Sequence, residues 1–245
     1  MQHGKRYRSV IGAFDRGELY SPAAAVRKLK ETQAAKFDET VEVHMNLGLN
    51  VRHAEEQLRG TIMLPHGTGR TARVVVFAEG DKAKEAQDAG ADVVGAADLA
   101  KRVEEGFTDF DVAIATPDQM GNVGKLGRVL GPRGLMPNPK TGTVTVDVGR
   151  AVKEAKAGKL EYRTDRGANV HVPIGKRSFD ERQLVENYAA LIDEIVKAKP
   201  ASSKGRYIKK ITLASTMGPG IHVDPARTRG IVEDLDEAEA ATVSA

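Results

Sequence analysis

Lys125, Arg128, Arg133 and Lys140 stand in residues 121–143, GNVGKLGRVLGPRGLMPNPKTGT, with no Asp or Glu among them. Ammonium and guanidinium groups without counter-charges suit an anionic partner, phosphate above all. Gly121, Gly124, Gly127, Gly131, Gly134 and Gly142 permit close backbone approach or positive φ. Pro132, Pro137 and Pro139 stiffen the chain, so less freedom is lost on binding than in a Gly/Ser linker. The expectation is a shaped basic surface loop that takes no part in a core. One enzymatic alternative is the nucleotide-phosphate cradle GxxxxGKS/T. The register from Gly134 puts Pro139 where that motif needs the glycine before Lys140, and residues 143–146 alternate like a strand instead of opening a helix. The loop does not read as a nucleotide cradle.

A second constellation joins distant stretches. Lys36, Phe37 and Thr40 come just before or at the start of one predicted strand, and Thr216, Met217 and Gly218 just after another. A hydroxyl and a glycine N–H suit 2′-hydroxyls or phosphates, while Phe and Met suit an unstacked base or a sugar. Arg52, Arg163, Arg166, Lys176 and Lys204, with Lys36, would add the sequence-independent electrostatic attraction. Six Phe, five Tyr and no Trp argue against base-by-base stacking on single strands and for a folded RNA read by shape.

No catalytic set accompanies these residues. The absence of cysteine excludes disulfides, thiolate metal sites and thiol nucleophiles. His44, His66 and His171 lack metal-ligand spacing, and no Ser–His–Asp grouping is evident. A nucleotide-using enzyme is the leading rival, but Glu79-Gly80-Asp81 would set two carboxylates where a pyrophosphate must sit. The sequence predicts no enzyme, no cofactor and no bound metal.

Charge is sorted along the chain. Residues 70–119 hold six basic and eleven acidic side chains, and residues 120–159 hold eight basic and two acidic, within a net charge of +3. Residues 231–245 form an acidic tail, expected to be disordered; without its five carboxylates the net charge is +8. A scaffold whose tail is the working part is the third reading. No run of about 18 apolar residues and no signal-like amino terminus occurs, so no membrane partner and a cytoplasmic location are expected.

The elements that must position these residues fall into two styles. Residues 73–78, 92–94, 110–115 and 143–146 read as strands alternating with helices at 81–89, 97–105, 122–130 and 148–157, the last capped by Asp147. That alternation indicates an inserted Rossmann-like three-layer α/β domain over residues 68–158. The flanks, residues 1–67 and 159–230, read as one split two-layer α+β domain. It has a helix opened by Ser21-Pro22, strands at 40–46, 60–64 and 208–215, a hairpin of 161–164 with 169–174 around Asp165-Arg166-Gly167, and a capping box from Ser178 to Glu181 before a long helix. Glycines at both crossings, Gly67, Gly69 and Gly158, suggest a hinge.

The run GKLGRVLGPRGLMPNPKTGTVT resembles, nearly residue for residue, a signature of the L-one family of large-subunit ribosomal proteins. The resemblance extends through Lys5-Arg6-Tyr7, Val41-Glu42-Val43-His44, Arg59-Gly60-Thr61, Leu64-Pro65-His66-Gly67, His171-Val172-Pro173-Ile174-Gly175-Lys176 and Ser215-Thr216-Met217-Gly218-Pro219. It implies the split architecture and a place in the mobile stalk beside the tRNA exit site. It also implies binding to large-subunit ribosomal RNA through Phe37, Thr40, Thr216, Met217 and Gly218, with Glu42, His171 and the basic residues as further contacts. Other ribosomal components and exit-site tRNA follow as partners, as does the messenger RNA of the protein's own operon, whose translation it would repress. Off the ribosome a monomer is expected. Lys125, Arg128, Arg133 and Lys140 would be a second RNA contact.

Overall fold

The computed structural model describes residues 4–12, 14–32, 35–228 and 230–231. Its elements, in chain order, are α1 (Lys5–Ile11), α2 (Pro22–Glu31), β1 (Thr40–Leu47), β2 (Arg59–Met63), β3 (Val74–Phe77), α3 (Asp81–Asp88), β4 (Val93–Gly95), α4 (Ala97–Glu104), β5 (Val112–Ala115), α5 (Met120–Val123), α6 (Gly127–Leu130), α7 (Val148–Lys156), β6 (Lys159–Arg163), β7 (Asn169–Lys176), α8 (Glu181–Lys197), β8 (Ile208–Ser215) and β9 (Ile221–Val223). The chain divides into two compact units, one up to Gly69 and again from Tyr162, the other from Arg70 to Glu161.

The first unit is built on a four-stranded antiparallel sheet ordered β7-β1-β8-β9. Strand β1 alternates strictly, with Val41, Val43, Met45 and Leu47 buried and Thr40, Glu42, His44 and Asn46 on the open face. Helices α2 and α8 cover the buried face. Burying each such aliphatic side chain contributes roughly 1.5–3 kcal/mol, so register is firmly set: a one-residue slip would turn the whole apolar row to water. Ser21 caps α2 as predicted, its Oγ accepting from the Ala24 N–H at 3.3 Å with Pro22 at the first helical position.

Two local expectations fail here. Residues 165–167 do form a turn, fixed by Asp165 Oδ1 accepting from the Gly167 and Asn169 N–H groups at 2.8 and 2.7 Å. The strands it joins are no hairpin, because β6 pairs with β2 and β7 pairs with β1. Nor does Ser178 cap α8: Asp180 does, its N–H donating to Gln183 Oε1 at 3.1 Å, while the Ser178 hydroxyl donates to Asp38 Oδ2 at 2.8 Å.

The second unit has a parallel sheet ordered β4-β3-β5. All of β3, Val-Val-Val-Phe, is buried, as a strand covered on both faces requires. Val74, Val76 and Ile114 pack with Val148 and Val152 of α7 on one face, and Val75 and Phe77 pack with Leu99 and Val103 of α4 on the other. Asp147 caps α7, accepting from the Arg150 N–H at 3.1 Å. Residues 143–146 form no strand; a single parallel bridge joins Val144 to Ala115.

The basic segment corrects the expectation that it stays out of the core. Val123, Leu126 and Leu130 have no exposed surface and close the second face of the sheet. Their helical spacing brings them to one side of the short turns α5 and α6, leaving Gly121, Gly124 and Gly131 outward. The expected single helix over 122–130 is broken into these turns. Of the six glycines only Gly134 and Gly142 have positive φ.

The predicted tail lies outside the described residues except for Ile231, which is buried. The tail's first residue thus belongs to the packed part of the chain.

Candidate nucleic-acid interface

The antiparallel register sets Thr40, first residue of β1, opposite Lys176, last residue of β7, and Thr216 emerges from β8 on the other side. These three lock together. The Thr216 N–H donates to Thr40 O at 3.0 Å, the Thr40 N–H donates to Thr216 Oγ1 at 3.0 Å, and Lys176 Nζ donates to Thr40 Oγ1 at 2.9 Å. On the loops that flank this corner Phe37 is 54% exposed and Met217 is 59% exposed. Large apolar side chains held in water next to hydroxyls and an ammonium group suit a sugar or an unstacked base bordered by phosphates.

A buried carboxylate holds the corner together. Glu39 continues the inward phase of Val41 and Val43 and has no exposed surface. It accepts from the Ala35 N–H, and from the Met217 N–H at 3.3 Å. Burial alone would raise its pKa, but the Ser215 hydroxyl, the two backbone donors and the charge of Arg177 outweigh it and hold the carboxyl below its ordinary value. Arg177 ties the corner to α2 by donating to Lys30 O at 2.8 Å, and its N–H donates to Glu39 O at 2.8 Å. Asp38 accepts from Ser178, fixing the loop that carries Phe37. Glu39, Asp38, Arg177 and Ser215 were not singled out in the sequence. For Glu39 the signal was there: strict alternation from Val41 backwards points a carboxylate at the core.

The groups of Thr216 and Gly218 expected to bond RNA are already engaged. The Gly218 N–H donates to Ser215 O at 3.0 Å, and a Cβ at Gly218 would lie 2.4 Å from Ser215 Oγ. Glycine is needed there so that the turn can close over Ser215, and the Thr216 hydroxyl braces Thr40. Both shape the surface on which Met217 stands.

Apart from Lys36, the remaining predicted residues do not gather at this corner. Glu42 and His171 lie on the open face of the sheet, His171 facing His44 across the β1–β7 pairing. Arg52 and Arg166 belong to the opposite end of β1, where Asn46 pairs with Asn169, about 20 Å away at the usual rise per residue. Arg163 ends β6 in the two-stranded sheet, and Lys204 precedes β8 at the far end. Lys36 is exposed beside Phe37. In the second unit Lys125, Arg128, Arg133 and Lys140 are all exposed, with the Arg133 guanidinium donating to Thr108 Oγ1. Among the described residues no group of three or more His, Cys, Asp or Glu could hold a metal ion. No described helix is long and apolar enough to cross a membrane.

Residues 29–219, which hold the whole corner and the basic segment, match the ribosomal protein L1p/L10e family. The chain belongs to that family. Large ribosomal subunit protein uL1 of Nocardioides sp. is 59% identical over 239 residues, covering 98% of this chain and all of the relative. The corresponding protein of Thermobifida fusca is 60% identical over 229 residues, covering 94% of this chain and 97% of its own length. That of Rhodococcus erythropolis is 58% identical over 237 residues, covering 97% and 99%. The family is one of ribosomal proteins rather than enzymes, as the missing catalytic set anticipated.

Proposed function

We propose that this protein is a constituent of the large ribosomal subunit, and that the Phe37/Met217 corner grips a folded ribosomal RNA stalk near the tRNA exit site. The observation that supports this best is the exposed pair Phe37 and Met217 standing on a corner braced by Thr40, Lys176, Thr216 and buried Glu39. A surface built this rigidly binds by shape with little ordering cost. Phe37, Thr40, Met217, Lys36 and Lys176 make the contacts, and Thr216 and Gly218 position them. Glu42, His171, Arg52, Arg163 and Arg166 extend the contact along and beyond the sheet.

In this reading residues 68–158 are an inserted domain that moves with the stalk and helps release deacylated tRNA. Exposed Lys125, Arg128, Arg133 and Lys140 are its second contact, with ribosomal RNA or tRNA. Gly67 has positive φ, and its carbonyl accepts from Asn187 Nδ2 at 3.0 Å. A Cβ on Gly69 would meet Phe179 at 2.8 Å. Both are anchored, so the hinge we propose begins after Gly69; Gly158, which ends α7 with positive φ, serves the return crossing. The same corner would bind a similar fold in the protein's own operon messenger RNA and repress translation once ribosomal RNA is saturated.

Crosslinking in cell lysate, denaturing purification and sequencing of the attached RNA test the proposal. Reads concentrated in one large-subunit ribosomal RNA helix, with a minor peak in the operon leader, are expected; scattered reads would overturn it. Two variants refine it. Lys36→Ala weakens binding and lowers the slope of log K against log salt by about one unit, the loss of one phosphate contact. Removing residues 232–245, which spares buried Ile231, keeps or raises RNA affinity because five carboxylates leave. A large loss of affinity would make the tail the working part.

A further inference from the structure

Four side chains form a row across the open face of the first unit's sheet, one from each strand. His171 of β7 pairs with His44 of β1, His44 with Thr212 of β8, and Thr212 with His222 of β9. The two outer contacts are hydrogen bonds: His44 Nδ1 lies 2.8 Å from His171 Nδ1, and Thr212 Oγ1 lies 3.2 Å from His222 Nδ1. Facing the histidine pair are Glu42 on its own strand, with Oε2 3.8 Å from His44 Nε2, and Asp165 before β7, with Oδ2 3.6 Å from His171 Nε2. Lys210 on β8 lies one pairing step further along, opposite Asn46, and Lys176 on β7 lies beyond Pro173, opposite Thr40.

Two nitrogens at 2.8 Å need one proton between them. With both rings neutral, one Nδ1 donates and the other accepts. Protonating the donor ring's distal Nε2 keeps that bond and points a charged N–H at a carboxylate; a second proton, on the acceptor's Nδ1, would destroy it. The pair is therefore built to take up one proton and to resist a second. In its neutral state the strip presents Glu42 and Asp165 with no opposite charge between them, which repels phosphate. Singly protonated, it becomes a cation midway between the Thr40–Lys176 corner and the Arg166 end. Burial first, and then the proximity of His171, hold the His44 imidazole below its ordinary value, with Glu42 partly opposing.

We infer that the His44–His171 pair, with His222 beside it, is a proton-linked part of the RNA surface, so that binding a phosphate backbone along the open face takes up one proton. The inference rests on the RNA-binding reading above. Polyanion binding raises the pair's affinity for a proton, and by linkage a falling pH tightens RNA binding, up to about tenfold per pH unit for one proton.

The test is the affinity of the full chain for a folded transcript of the large-subunit ribosomal RNA stalk, from pH 8 to 5.5 at fixed ionic strength, for the wild type and for His44→Gln/His171→Gln. Calorimetry in two buffers of different ionisation enthalpy counts the protons. The wild type should tighten as pH falls and take up close to one proton per complex, and the double variant should lose both effects. A wild type that binds with no pH slope, or a double variant that keeps the slope, overturns the inference while leaving RNA binding intact. A wild type that fails to bind at every pH defeats the RNA reading, and this inference with it. Should the double variant not fold, the wild-type ring resonances decide: His44 and His171 must titrate at higher pH with RNA bound, and unchanged titration overturns the proposal.

Discussion

Met217→Asp should abolish RNA binding by this chain, with a loss of at least about 100-fold, while leaving the folded state intact. Met217 is 59% exposed, so its side chain contributes little to the core and its replacement should shift stability by no more than about 0.5 kcal/mol. Its backbone is fixed, the N–H donating to Glu39, and it is followed by Gly218 closing over Ser215. The new carboxylate therefore cannot swing away from whatever Met217 touches. At about 4–5 Å from a phosphate, in a surface environment of effective dielectric about 20, like charges cost roughly 3–4 kcal/mol, more than two factors of ten in affinity. A gel-shift titration with the stalk transcript, paired with a thermal melt, measures both quantities. Affinity within a few-fold of wild type at unchanged melting temperature would remove this corner from the RNA site. Met217→Leu, which keeps the apolar contact without charge, should retain most of the binding.

How much of this was legible in the sequence depends on how local the cause was. The alternation of Thr40, Glu42, His44 and Asn46 against Val41, Val43 and Met45 predicted both β1 and its open face, because a strand's two faces are written at a period of two. Ser21-Pro22 and Asp147 were readable as helix starts because a cap acts within a few residues. The expectations that fail depend on distant partners. Residues 161–164 and 169–174 flank a tight turn, which usually makes a hairpin, but β1 and β2 from far upstream take up the two strands separately. The glycines and charges of the basic segment point to the surface, and although a helix over 122–130 is legible, the core that Val123, Leu126 and Leu130 enter is made by a sheet whose strands lie upstream. At the corner, residue types flagged Phe37 and Met217 correctly as exposed. The partners of the Thr216 hydroxyl and the Gly218 N–H are less legible: the first is Thr40, met only once β1 and β8 are paired, and the second is the Ser215 carbonyl of a local turn. The same holds for the histidine row, whose members are spread from residue 44 to residue 222.

Glu39→Ala is expected to cost about 2–4 kcal/mol of stability and, with it, much of the RNA affinity. The carboxylate has no exposed surface, and it satisfies the Ala35 and Met217 N–H groups while opposing the charge of Arg177. Truncation leaves two donors facing a small cavity and removes the charge that opposes Arg177, which is the costly way to remove a buried charge. Glu39→Gln should fall between the two, since the amide keeps the volume and one acceptor but turns an N–H toward a backbone donor. The pH dependence separates an ion from a mere hydrogen-bond acceptor. Burial would raise the Glu39 carboxyl, but Ser215, the backbone donors and Arg177 bring it below its ordinary 4.5 in the folded state. A carboxyl whose folded value is depressed stabilises above its unfolded value, and that contribution is lost as pH falls through the folded one. The gap in unfolding free energy between wild type and Glu39→Ala should therefore be constant at neutral pH and narrow below about 4.5. Denaturant melts at pH 7 and at lower pH measure it, and a gap that stays the same or widens in acid would mean the carboxylate is not held ionised by its neighbours. If the gap narrows as expected while RNA affinity falls in step with stability at pH 7, the turn bearing Met217 owes its shape to a charge that the RNA never meets.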